Sequence, residues 1–106
     1  MGMDIKTSQV IFRVASEIEA ELNKQSMPGA NASIPKRVRF IAAELSGRDS
    51  YAAEKAYRIA ELAGIFYSAR KHWKYPGGYQ ALWTDMTSDL LGRIRTQGRV
   101  REGHGD

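Results

Sequence analysis

Apolar residues return along this chain at spacings of three and four, and no segment alternates in the manner of a half-buried strand. Val10, Ile11, Val14, Ile18 and Leu22 share one helical face, with Glu17, Glu19 and Lys24 largely away from it. The spacing predicts a first helix from Thr7 or Ser8, both suitable N-caps, to about Gln25. SMPGANAS, 26–33, is a loop by composition. A short second helix follows, opened by Ser33 and Pro35 and closed by Gly47, with Val38, Ile41, Ala42 and Leu45 on its apolar face.

Asp49 or Ser50 can cap a third helix, expected to reach Lys74. On it Ala52, Ala56, Ile59, Leu62, Ala63, Ile65, Phe66, Ala69 and Trp73 cover about half the circumference, the pattern of a central helix touched from several sides. Gly64 lies opposite, where it predicts close approach of a neighbouring backbone. After Pro76-Gly77-Gly78 a fourth helix is expected from about Tyr79 to Thr96. Its narrow stripe is Tyr79, Leu82, Trp83, Met86, Leu90 and Ile94. The pattern therefore predicts an all-α fold, a compact four-helix bundle with one short helix and a long central third helix. Residues 1–96 form the single helical domain, and 97–106 a flexible basic tail. Both tryptophans, Trp73 and Trp83, are placed in the core at the Pro-Gly-Gly corner, with His72, Lys74 and Tyr75 at its rim.

Composition narrows the function classes. A chain of 106 residues suffices for one modest core. It holds no cysteine, which excludes disulfides, thiolate catalysis and the common zinc sites. No apolar run is long enough to span a bilayer, and the polar start does not resemble a signal peptide, so the expected location is the cytoplasm. The net charge is +4, unevenly spread: residues 1–30 hold three of the sixteen cations and four of the twelve carboxylates. Ten of the cations are arginine, suited to bidentate contacts with phosphate or carboxylate.

Catalytic chemistry has little support. Ser68 and His72 stand four apart, but no orienting carboxylate or oxyanion hole has a signature beside them. Asp85 with Asp89, and Glu17 with Glu21, are pairs at magnesium-compatible spacing that more often face solvent, and Asp89 can pair with Arg93 instead. His72 and His104 are too few for a metal site. Gly77-Gly78 follows a helix, not a strand, so no phosphate loop is formed. The chain is expected to be no enzyme and to need no cofactor or metal.

PKRVRF, 35–40, carries the stronger signal. Lys36, Arg37 and Arg39 crowd a first helical turn, where the macrodipole disfavours cations, and Phe40 projects away from the Val38–Leu45 face. That arrangement suits an anionic partner. Arg93, Arg95, Arg99 and Arg101 form a second basic run; the first two complement a helix C-terminus, and the last two lie in the expected tail. IAAELSGRDSYAAEKAYR, 41–58, resembles a helix-turn-helix: Ile41, Ala42 and Leu45 match, whereas Ser46 and Gly47 depart from the usual Gly and Val. That resemblance implies double-stranded DNA as ligand.

The expected function is a non-enzymatic binding module, a small protein-binding inhibitor or adaptor of phage or mobile-element type. Its partner is an acidic protein surface or a nucleic-acid-handling host protein, such as a defence complex. The alternative is direct binding of DNA or RNA by the basic patches or by segment 41–58. Partner-binding candidates are Lys36, Arg37, Arg39, Phe40, Lys74, Tyr75, Arg99 and Arg101. The wide apolar arc of the third helix also allows a homodimer.

Overall fold

Glycine, proline and the buried stripes divide the chain into four helical stretches. The computed structural model describes residues 5–104. α1 spans Thr7–Leu22, α2 Ser33–Ala42 and α3 Ser50–Phe66; α4, Gly78–Thr84, passes through a π-helical turn, Asp85–Leu90, into α5, Leu91–Gly103. Short 3₁₀ turns occupy Ala43–Leu45 and Lys71–Lys74. No strand occurs among the described residues, so the fold is all-α.

The expected inward faces close one core. Ile11, Val14, Ile18 and Leu22 of α1 are fully buried with Val38, Leu45, Ile59, Phe66, Leu82, Met86, Leu91 and Ile94. The four helical stretches, α4 and α5 counting as one, alternate in direction. Phe12 of α1 lies beneath Gly98 of α5, and Arg13 near the start of α1 pairs with Glu44 beyond the end of α2. One end of the molecule therefore gathers the start of α1, the start of α3 and the end of α5. The other gathers loop 23–32, the start of α2 and the 67–77 connection. The molecule measures 49 × 25 × 19 Å.

Two turns behave as their residues dictate. Gly47 takes a left-handed φ of 81°, while the Leu45 carbonyl accepts from the Arg48 and Asp49 N–H groups at 3.0 and 3.2 Å. Asp49 then caps α3, its side chain accepting from the Ala52 N–H at 2.8 Å.

Four expectations need correction. α3 stops at Phe66, not Lys74, because loop 23–32 takes over its terminal carbonyls. Gly29 N–H donates to Phe66 O at 3.3 Å, Asn31 N–H to Tyr67 O at 2.9 Å, and the Tyr67 hydroxyl to Leu22 O and Gln25 O at 3.0 and 2.8 Å. Ser68 Oγ completes the stop by donating to Ile65 O at 2.6 Å. Trp73 is consequently carried out of the core, with 77% of its surface exposed, and Ala69 is exposed too. Trp83, by contrast, is half-buried against Phe66. Around Gly64 no atom comes within 4 Å of an added Cβ, so it marks no close approach. Finally, the last helix runs beyond Thr96 to Gly103, and Gln97, Gly98 and Arg101 are built into the fold; of the expected tail, 105 and 106 lie outside the described residues. From Ala52 to Phe66 the apolar arc of α3 is buried or half-buried within the chain.

Candidate functional site

α2 is amphipathic with a four-residue period. Ile34, Val38 and Ala42 point inward and are buried; Lys36, Arg37, Arg39 and Phe40 point outward and are exposed. Pro35 is tolerated because the first helical turn has no N–H partners to lose. Phe40 leaves 79% of its surface in water rather than packing under the 26–33 loop. Burying such a ring is worth about 2 kcal/mol, which this fold forgoes. Lys36 and Arg39 have no ion-pair partner among the described residues. Arg37 differs, since its Nε lies 3.8 Å from Glu21 Oε1, and Lys24 Nζ lies 2.8 Å from the other oxygen of the same, nearly buried carboxylate. Burial and the nearby Glu21 charge together push the Tyr67 hydroxyl pKa up, so it stays a neutral donor to the loop.

The second exposed ring is Trp73, in the 3₁₀ turn that replaces the last turns expected of α3. Its indole leans on the His72 imidazole, with centroids 5.4 Å apart and planes tilted by 33°. His72 is buried and held through Nδ1 at 3.2 Å from the Ser68 carbonyl. Arg70, Lys71 and Lys74 flank the indole in sequence, all exposed and none ion-paired among the described residues. Sequence reasoning assigned Trp73 to the core because the apolar arc ran on unbroken. The Ser-Ala-Arg-Lys stretch before it, which halves the apolar density, was the signal of the helix end.

Tyr75, expected at the rim, is engaged. Its hydroxyl donates to Asp85 Oδ2 at 2.5 Å, and that bond, then burial, raises its pKa. With Ile65, Lys71, Lys74 and Pro76 it lines a shallow apolar depression of about 280 Å³.

The other predicted site residues lie at the far end. Arg101 donates through Nε to Asp49 Oδ2 at 2.8 Å and through an Nη to Arg48 O at 3.0 Å, so it is a structural residue. Arg99 stays exposed and lines a groove of about 520 Å³ with Tyr51, Asp89 and Arg93. Arg93 is held by Asp89 at 2.9 Å, the pairing expected from their spacing. The structure thus divides the predicted set: Lys36, Arg37 and Lys74 toward one end, Arg39 and Phe40 farther along α2, Arg99 and Arg101 at the opposite end.

The catalytic options do not assemble. Ser68 Oγ is engaged by Ile65 O and by the Lys71 N–H, and His72 faces the Ser68 carbonyl instead of its hydroxyl. Among the described residues no group of three or more His, Asp or Glu could hold a metal ion. The helix-turn-helix reading also loses support. α3 would be the reading helix, yet its outward side presents Glu54 and Glu61 beside Arg58, and carboxylates there would meet phosphates. No helix among the described residues is long and apolar enough to cross a membrane. No protein-family model matches the chain, and no curated protein or solved structure is significantly similar to it.

Proposed function

We propose that this chain is a non-enzymatic binding module that seats an acidic protein surface on the outward face of α2. In this reading the four helices form a bundle whose role is to hold that face rigid. The observation that carries it is Phe40, 79% exposed on one stripe with Lys36 and Arg39, two cations with no ion-pair partner among the described residues. An aromatic anchor ringed by charge is the anatomy of a protein-binding hot spot. Arg37 contributes less, being shared with Glu21. Inhibitors and adaptors of phage or mobile-element type, acting in the cytoplasm on a host complex that handles nucleic acid, are the class this reading points to.

The test begins with capture of partners from nuclease-treated host extract and continues with titration of the purified partner. Phe40→Ala and Lys36→Glu/Arg39→Glu should each weaken that complex at least about tenfold while leaving the helical spectrum unchanged. Arg37 is left out of the variant because reversing it would set a second carboxylate against buried Glu21. Binding unaffected by both variants, or capture that vanishes with nuclease, would remove α2 as a protein-binding face.

A further inference from the structure

We propose that the Trp73 turn is a stacking site for single-stranded nucleic acid, separate from the α2 face and independent of what α2 binds. Recognition of a single strand without sequence preference needs two things: an aromatic face open to a base, and cations spaced to follow the phosphates. Trp73 supplies the first. Its ring is 77% exposed and lies beside buried His72, centroids 5.4 Å apart, which is itself bonded to the Ser68 carbonyl. The turn beneath it is closed by backbone bonds, Trp73 N–H to Arg70 O at 3.2 Å and Gly78 N–H to Tyr75 O at 2.8 Å. Such a platform loses little freedom when a base settles on it.

Arg70, Lys71 and Lys74 supply the second requirement. No carboxylate occurs in the chain between Glu61 and Asp85, and Asp85 is engaged by Tyr75, so nothing in this stretch neutralises the three cations. The start of α2 joins the same end, because Asn31 N–H is bonded to Tyr67 O, and the stretch between Glu21 and Glu44 is likewise free of carboxylates. Lys36 therefore extends the positive surface beyond the turn. Duplex DNA, with its bases stacked inside, offers the ring nothing to stack on, whereas a single strand offers a base at every step. DNA and RNA share this chemistry.

The experiment uses the full chain carrying Trp83→Phe, so that Trp73 is the one indole that emits. It is titrated with oligo-dT and oligo-rU of about 15 nucleotides, within the range one compact domain contacts. Stacking should quench the emission in a saturable way with at least one of the two strands, and which strand binds tighter names the source. By anisotropy of a labelled strand, Trp73→Ala should weaken binding at least about fivefold and Trp73→Phe should restore most of it. Lys71→Glu/Lys74→Glu should reduce the log–log salt slope by about one to two. No quenching with either strand at low salt overturns the proposal. So does equal affinity of Trp73→Ala, a preference for duplex, or binding to anionic lipid vesicles in place of the strands. Loss in Trp73→Ala of a nuclease-resistant protein complex, with strand binding absent throughout, would reassign the turn to a protein partner.

Discussion

Asp49 caps α3 through one oxygen and receives Gln97 Nε2 and Arg101 Nε, both at 2.8 Å, through the other. Burial alone would raise its pKa; the Ala52 N–H, the Gln97 amide and the Arg101 guanidinium outweigh that and leave it below the ordinary carboxylate value. A depressed folded pKa means that the ionised form stabilises the fold at neutral pH, and that this contribution is lost as pH falls below about 4. In urea at pH 7, Asp49→Ala should cost about 2–3 kcal/mol, because it strips a cap and strands two donors. Asp49→Asn keeps the cap and should cost about 1 kcal/mol, a deficit that shrinks toward pH 3. A pH-independent deficit would show that the charge contributes nothing. The cap was legible from Asp49 standing before an apolar period, but its two partners, about fifty positions away, were not. The tryptophans give the complementary test. Trp73→Ala should leave stability within about 0.5 kcal/mol. Trp83→Ala, which removes a half-buried ring lying 5.2 Å from Phe66, should cost about 2–3 kcal/mol, less than a fully buried ring. Equal costs would return Trp73 to the core.

Helix boundaries and helix phase are decided between elements, and there local pattern was a weaker guide. The faces of α1 and α2 followed from spacing alone, since each face meets the same core along its whole length. The end of α3 did not, because the groups that terminate it belong to loop 23–32 and lie some forty residues upstream. Leu91 was missed for a related reason. The π turn at Asp85–Leu90 carries one residue more than an α turn, which rotates the stripe so that Leu90, Leu91 and Ile94 all reach the core. Two glycines let this scale be tested. Gly64 sits in α3 with open space around it, so Gly64→Ala should stabilise the protein by about 0.5–1 kcal/mol through helix propensity. A Cβ on Gly98 would come within 2.8 Å of the Phe12 ring and 3.2 Å of Ile11, so Gly98→Ala should lose that gain to the displacement of α1. Thermal midpoints of the two variants suffice. A stabilised Gly98→Ala would mean that α1 and α5 pack more loosely than their side chains suggest.

At the scale of the molecule, the distribution of charge matters more than its sum. Lys36, Arg70, Lys71 and Lys74 gather at the end where loop 23–32 is pinned to α3, and Arg99 lies near the other, on a body 49 Å long. The body is several Debye lengths long, at roughly 8 Å each at physiological ionic strength, so charges at opposite ends act on a polyanion separately. Sequence could count these cations but could not sort them, because sorting depends on which carboxylates the fold brings near: Arg101 is neutralised by Asp49 and Arg95 by Glu19. Truncation at Gln97 would not isolate charge, because it would also unpin Asp49 and uncover Phe12. Matched reversals are better. Lys71→Glu and Arg99→Glu each lower the formal net charge of +4 by two, and both positions are exposed and without an ion pair among the described residues. Elution from immobilised heparin, a sequence-blind polyanion, should shift to clearly lower salt for Lys71→Glu and change little for Arg99→Glu. Equal shifts would show that a polyanion senses only the net charge, and the basic end would then lose its standing as a binding surface.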